Sequence, residues 1–197
     1  TSASGYSLLP EVVRRLRDCR PGIALSLKEL VSTSQVEALN ARQLDIGLMR
    51  PHLLNNELES KVLLSEPLML AVPAESVGQW PEEPTLDCLH GKPFVMYSPQ
   101  EARPFYHMLN ARFQNAGVIP DIVEHVGQVH TMLALVRAGL GAALIAESAT
   151  SLQFNNVAFL PIQTEPVETI GAWRRDNDNP ALSLFLEEVL PSFGSNE

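Results

Sequence analysis

The chain has 197 residues, 45% hydrophobic and 19% charged, so it can bury one large core or two smaller ones and does not have the composition of a disordered protein. Its formal net charge of −9 and its pI of about 5.0 argue against a nucleic-acid interface on this chain. No apolar run reaches the ~18 residues that span a bilayer and no signal peptide is recognisable, so we expect a cytoplasmic protein and no membrane partner.

The first part of the chain shows alternating helix and strand patterns. Apolar residues at helical spacing predict a helix over 6–20, and the alternation in IALSLKEL predicts a strand over 23–30. Ser34 and Glu37 fit a capping box, so a second helix is expected to start there. The apolar run LDIGLM at 44–49 is typical of a strand buried on both faces of a parallel sheet. The order predicts βαβ units.

Two more strands, KVLLSE and PLMLAVPA, precede a proline-rich and acidic connection, after which a second α/β series begins. Glycines close its helices, as expected for left-handed helix ends. The predicted elements of this series are the strands PFVMYS, PDIVEHV and AALIAES, the helices EARPFYHMLNARFQNAG and HTMLALVRAGLG, two further strands NVAFLPI and VETIGAWRR, and a closing helix ALSLFLEEVLPSF.

Residues 6–50 and 93–146 share the same order of elements, with the first strand of the first series expected just before Thr1. Such a duplication predicts an α/β fold of two Rossmann-like lobes joined by two crossover strands, with a cleft between the lobes. The predicted boundaries are 1–72 with 166–197 for lobe I and 73–165 for lobe II.

Several segments, in order and spacing, resemble the effector-binding domain of LysR-type transcriptional regulators: LLPEVVRRLRDCRPGIALSLKE, TSQVEALNARQLDIGLMR, EPLMLAVPAES and VHTMLALVRAGLGAALIAES. Two positions depart from the family pattern, since Gln43 lies where a turn glycine is usual and Ala146 replaces a proline. The resemblance covers essentially the whole chain.

This resemblance implies a periplasmic-binding-protein-like fold that binds a small organic acid, such as an aromatic or dicarboxylate metabolite, between its lobes. It also implies a homo-dimer or tetramer. Contact with DNA would be made only by an N-terminal winged helix-turn-helix, which is absent from this chain. Effector binding would change the oligomer geometry and thereby control transcription.

Candidate site residues follow from the tendency of open α/β sheets to bind ligands beyond the carboxyl ends of their strands, where helix N-termini present free N–H groups. Hydroxyl and amide donors at such ends suit a carboxylate. The candidates for effector binding are Ser2, Ser4, Ser32, Thr33, Tyr97, Ser98, Gln128, His130 and Ala146.

These candidates also have plainer interpretations. Ser32 and Thr33 could do no more than cap a helix, and the serines near the N-terminus could belong to a frayed end. Tyr97 could pack in the core, and His130 could be an ordinary surface histidine. The sequence leaves these alternatives open.

No catalytic, metal or cofactor site is predicted, because the chain has no nucleophile elbow, HExxH, phosphate loop or dinucleotide fingerprint and its histidines lack metal-site spacing. Cys19 and Cys88 belong to no cluster and are interpreted as buried thiols. A non-enzymatic sensor is therefore expected. The alternative is a solute-binding protein of a transporter, which shares the two-lobed architecture.

Overall fold

The computed structural model describes residues 8–51 and 54–193, so the candidates Ser2 and Ser4 lie outside the described residues. The chain divides into two compact units, one formed by 1–65 with 168–197 and the other by 66–167. The first boundary differs from the expected one because residues 66–72, assigned above to lobe I, belong to the second unit.

Both units contain helices and strands. In chain order they are α1 (Leu8–Cys19), α2 (Ser32–Asn40), β1 (Ile46–Met49), β2 (Leu58–Glu66), β3 (Leu68–Pro73), β4 (Pro93–Tyr97), α3 (Arg103–Ala116), β5 (Asp121–Val126), α4 (Val129–Arg137), β6 (Ala143–Ala146), β7 (Val157–Pro161), β8 (Val167–Arg174) and α5 (Pro180–Leu184). A π-helical turn at Phe185–Val189 and a 3-10 turn at Leu190–Ser192 continue α5. Further 3-10 helices are Ala74–Gln79, Leu86–Leu89 and Glu147–Leu152.

The first unit has a three-stranded sheet in the order β1-β8-β2, with β1 antiparallel to β8. Apolar residues cover the sheet in two clusters, each of which excludes water from buried side chains. The cluster that includes α1 and the C-terminal helix consists of Leu8, Val12, Leu16, Leu63, Leu182, Phe185, Val189, Leu190 and Phe193. The second, which includes α2, consists of Leu39, Met49, Leu58, Ile170 and Ala172.

The strand predicted over 23–30 does not form, and this prediction was wrong. Leu25 is 46% exposed and Leu27 58% exposed, although their alternation suits a half-buried strand. An extended segment becomes a strand only when a neighbour takes up its backbone N–H and C=O groups, and no described strand pairs with this one. The parallel sheet expected in the first half is therefore absent from the described part of the first unit.

The second unit contains both parallel and antiparallel pairs. β3 is antiparallel to β6 and β7, whereas β4 is parallel to β5. A parallel bridge joins Phe94 to Ala142, where the Val95 amide donates to the Ala142 carbonyl at 2.8 Å. β4 thus lies between β5 and the residue that leads into β6. Gly117, with φ +67°, closes α3 as its position predicts.

The two cysteines and the lengths of the helices can be compared with the predictions. Cys19, the last residue of α1, is exposed rather than buried as predicted, whereas Cys88 is half-buried; both are free thiols. Among the helices of residues 8–51 and 54–193, none combines the length and the apolar character that a membrane span requires.

Candidate functional site

Helix α2 of the first unit begins at Ser32, so the predicted helix is confirmed, whereas the capping box expected at Ser34 was wrong because the N-cap residue is Val31. The Gln35 amide donates to the Val31 carbonyl at 2.9 Å, and this first helical hydrogen bond places Ser34 within the first turn. The Gln35 side chain donates to the Leu30 carbonyl at 2.9 Å and so fixes the incoming chain.

The start of α2 has hydroxyl groups but no neutralising group of its own. Its N-cap residue is Val31, which makes no side-chain capping bond, and its first turn contains no acidic residue. Ser32 is only 3% exposed, whereas Thr33 and Ser34 are half-buried. A helix start carries about half a positive charge on its free N–H groups. The accessible hydroxyls therefore lie beside a local positive potential.

In the second unit, the carboxyl ends of the parallel strands face one edge. β4 ends before Ser98 and β5 ends before Gly127, and the Ser98 amide donates to the Val126 carbonyl at 2.8 Å. Helix α4 starts directly after Gln128, whose side chain makes no capping bond, and it too has no acidic residue in its first turn. This edge has free helix N–H groups, but the Glu101 side chain lies against Gly127, directly before them.

The candidates of the second unit differ in accessibility. Tyr97 is 4% exposed and packs on Phe105, with ring centroids 4.4 Å apart, so its core position matches the plainer interpretation. The Ser98 hydroxyl accepts hydrogen bonds from the amides of Gln100 and Glu101 at 3.3 and 3.2 Å, which shapes the turn into α3. Ala146 is 2% exposed.

Gln128 and His130 are both exposed and lie at the start of α4. They are the two candidates of this unit whose side chains a small molecule can reach. In the described ranges, no group of three or more His, Cys, Asp or Glu side chains is arranged to hold a metal ion.

Sequence reasoning missed a buried carboxylate. Glu66 is 4% exposed and accepts a hydrogen bond from the Ser148 amide at 2.7 Å, at the start of the 3-10 helix that follows β6. The helix start beside Ala146 is therefore already neutralised by the protein's own carboxylate. The only sequence signal was an acidic residue directly after the apolar part of a strand and before a proline.

A second missed feature is the contact between Glu101 and Gly127. A Cβ atom added to Gly127 would overlap the side chain of Glu101, so this glycine is required by a close approach and not by its backbone angles. Glu101 thus covers the end of β5. Neither residue was marked by any motif.

Two arginines with low exposure or partial burial donate hydrogen bonds to backbone carbonyls. Arg50, 6% exposed, donates through Nη1 to the Glu168 carbonyl at 2.8 Å. Arg112 donates to the carbonyls of Glu165 and Pro166 at 2.7 and 2.9 Å, and burial lowers the pKa of its guanidinium. Arg112 therefore holds the backbone at 165–166 in the second unit, and Arg50 holds the backbone at Glu168 in the first.

The family model and the relatives that this chain matches describe the same family of proteins. Residues 1–194 match the family model described as LysR substrate binding domain. The HTH-type transcriptional regulator IlvR of Caulobacter vibrioides is 32% identical over 194 residues, which are 95% of this chain and 64% of that protein. For the first two curated relatives, the chain spans 61 and 64% of their length.

Solved structures of LysR-type regulators are also similar to this chain. CbnR, a LysR family transcriptional regulator, has a TM-score of 0.83 at 25% identity, covering 94% of this chain and 65% of that one. The BenM effector binding domain with its effector benzoate has a TM-score of 0.82 at 24% identity, covering 91% of this chain and 83% of that one. The predicted α/β fold of the periplasmic-binding-protein type is confirmed, and the description of the relatives favours a regulator over a transporter component.

Proposed function

The chain belongs to the LysR substrate binding domain family, and on that basis we propose that it is the sensing domain of a bacterial LysR-type regulator whose effector is a small carboxylate. The observation that carries the choice of a carboxylate is the start of α2, which combines hydroxyls and free amides with the absence of an acidic residue from its first turn. The proposed domain has no catalytic role.

At this start, the effector's carboxylate accepts hydrogen bonds from the α2 amides and from the hydroxyls of Thr33 and Ser34. Such charge-assisted bonds are about twice as strong as neutral ones, and the helix adds a favourable potential. Ser32 is buried, so we assign it no direct contact with the effector. The benzoate named for the BenM domain is itself a carboxylate, which supports the class of ligand but not its identity.

In the second unit, taken by itself, the exposed candidates are Gln128 and His130 at the start of α4. Tyr97, Ser98 and Ala146 shape this edge from within. Among the predicted effector ligands, we therefore assign direct contact to the exposed side chains and a supporting role to the buried ones.

The effector changes the regulator only if it binds one arrangement of the domain better than another. In the whole protein, we propose that this preference alters the geometry of a homo-dimer or tetramer. The DNA is contacted by a separate N-terminal domain, which agrees with the net charge of −9 on this chain. As a transcriptional regulator, the protein would act in the cytoplasm.

The test is isothermal titration with benzoate and a panel of other small carboxylates, comparing Thr33→Asp with Thr33→Asn. Both variants change the same half-buried position, but only the aspartate adds a negative charge. At about 6 Å, this charge repels a carboxylate by about 0.7 to 2.8 kcal/mol for effective dielectric constants of ~80 to ~20, which weakens binding roughly 3- to 100-fold.

Folding serves as the internal control, because an acidic residue in the first turn stabilises a helix by about 0.3 to 1 kcal/mol. Thr33→Asp should therefore melt no lower than Thr33→Asn while binding the carboxylate more weakly. If a carboxylate binds and both variants retain the parent affinity, α2 does not receive it and the proposed site is wrong.

A further inference from the structure

In the second unit, a carboxylate from a neighbouring turn lies at the start of α4. Glu101 belongs to the turn 98–102 between β4 and α3, and it is exposed. A Cβ atom on Gly127 would overlap Oε2 of Glu101 and would lie 2.8 Å from its Cβ and Cδ atoms. Gly127 directly precedes Gln128, the N-cap residue of α4. The Glu101 side chain therefore packs, from Cβ to the carboxylate, against the backbone at this helix start.

Hydrogen bonds within the turn fix the position of Glu101. The amides of Gln100 and Glu101 donate to the Ser98 hydroxyl at 3.3 and 3.2 Å. The Ala102 amide donates to the Ser98 carbonyl at 3.0 Å, and α3 begins at the next residue. This bonding holds the Cα–Cβ bond of Glu101 beside Gly127, so the carboxylate stays near the start of α4.

The carboxylate changes the electrostatics of the α4 start. The first helical hydrogen bond of α4 runs from the Met132 amide to the Gln128 carbonyl at 3.1 Å, so the amides of 129–131 precede this ladder. They carry the partial positive charge of the helix start, and α4 itself has no acidic residue in its first turn. Glu101 supplies the negative charge from outside the helix. A second anion that approaches these amides is repelled by the carboxylate that is already there.

The same carboxylate is open to a hydrogen-bond donor. Glu101 is exposed, and no hydrogen bond to its carboxylate oxygens occurs among residues 8–51 and 54–193. A carboxylate accepts at both oxygens, and bonds to a charged acceptor are stronger than bonds between neutral groups. Gln128 and His130 are exposed at the same helix start. A small molecule that contacts these two side chains therefore meets a charged acceptor beside them.

We propose that Glu101 determines the specificity of the second unit for the effector, because it admits a hydroxyl or ammonium group and excludes a second carboxylate. This inference rests on the proposed function, since it takes Gln128 and His130 as contacts of the effector. Within the class of small acids, it favours an effector with one carboxylate and a hydrogen-bond donor, a hydroxy or amino acid, over a dicarboxylate. The donor of such an effector bonds directly to the Glu101 carboxylate.

The test is isothermal titration with compounds that share a skeleton, namely benzoate, 4-hydroxybenzoate and benzene-1,4-dicarboxylate, and butanoate, 4-hydroxybutanoate and butanedioate. Glu101→Gln removes the charge and keeps the side-chain length, so the contact with Gly127 is retained. Glu82→Gln is the matched control, because it removes the same charge from an exposed position in the proline-rich connection. Thermal melting checks that both variants fold as the parent does.

Two affinity ratios report on Glu101. For charges about 6 Å apart, Glu101→Gln should raise the affinity for the dicarboxylate, relative to the unsubstituted acid, about 3- to 100-fold. The same variant should lower the preference for the hydroxy acid over the unsubstituted acid about five- to tenfold. Glu82→Gln should change neither ratio. Ratios that stay unchanged in Glu101→Gln would overturn the proposal, and so would a parent chain that prefers the dicarboxylate.

A second measurement separates this inference from the proposed function. NMR follows the amide shifts of residues 129–131 while inorganic phosphate is added to the parent and to both variants. Phosphate should bind at these amides at least threefold more tightly in Glu101→Gln than in the other two proteins. If no acid binds but phosphate shows this difference, the proposed effector class is wrong and the exclusion of anions by Glu101 stands. If acids bind and phosphate binds equally to all three proteins, the role of Glu101 is wrong and the proposed function stands.

Discussion

The contact between Gly127 and Glu101 gives a prediction whose size can be worked out. An alanine at 127 would bring its Cβ atom to 2.8 Å from both Cβ and Cδ of Glu101, closer than packed carbon atoms come. Gly127 does not have a left-handed backbone, so the cost arises from the contact alone. The Cβ atom of Glu101 is bonded to its backbone, so a side-chain rotation cannot move it away and the turn before α3 must shift. Gly127→Ala should therefore lower the free energy of unfolding by about 1 to 3 kcal/mol.

The assay is urea unfolding of Gly127→Ala in the parent chain and in a Glu101→Gly background. Removing the Glu101 side chain removes the clash, so in that background the alanine should be neutral or stabilising by about 0.4 to 1 kcal/mol. Gly78→Ala is the matched control, since a Cβ atom there meets nothing within 4 Å. An equal loss of stability in both backgrounds would refute the contact as the cause.

Three further changes test other parts of the structure. Gly141→Ala should destabilise the chain more than Gly127→Ala in the same urea assay, because its Cβ atom would lie 2.6 Å from the Pro93 carbonyl oxygen, which no side-chain movement relieves; an equal or smaller loss would contradict this. Thr169 is fully buried and its hydroxyl has no hydrogen-bond partner within the described residues. Thr169→Val should therefore leave the free energy of unfolding unchanged or raise it by up to about 1 kcal/mol in urea unfolding. A clear loss of stability would show that the hydroxyl does make a hydrogen bond. Hydrogen bonds from two arginines lower the pKa of Glu11 from 4.5 to about 2, so its stabilising contribution should be complete above pH 4.5 and lost as the pH falls toward 2; an NMR titration midpoint near 4.5 would exclude these ion pairs.

The strands that the sequence predicted correctly are those whose neighbours are present in the described chain. LDIGLM and VETIGAWRR pair with each other as β1 and β8, although β1 is antiparallel to β8 and its residues alternate between half-buried and buried, so the expected burial on both faces of a parallel sheet was wrong. The segment 23–30 has an equally good pattern and forms no strand. Periodicity reports how side chains could be buried, whereas strand formation also requires a second backbone at the right place.

The site was predictable in part, for a related reason. Residue types indicated hydroxyls near a helix start, and the structure places Thr33 in the first turn of α2. They left open whether Tyr97 would pack in the core, and they did not indicate that the Glu66 side chain would accept a hydrogen bond from the Ser148 amide, 82 residues further along the chain. Such contacts depend on how the second unit folds and leave no local pattern.

The proposed carboxylate effector and the net charge of −9 are compatible only if binding depends on short-range contacts. The summed field of the chain repels an anion, but salt screens that field over about 8 Å at physiological ionic strength. What matters is where the acidic groups lie. Glu66 neutralises the start of one 3-10 helix and Glu11 is paired with arginines in α1, whereas the first turns of α2 and α4 contain no acidic residue. The start of α2 can therefore attract a carboxylate locally although the chain as a whole is acidic, whereas at the start of α4 the Glu101 side chain beside Gly127 adds an acidic group.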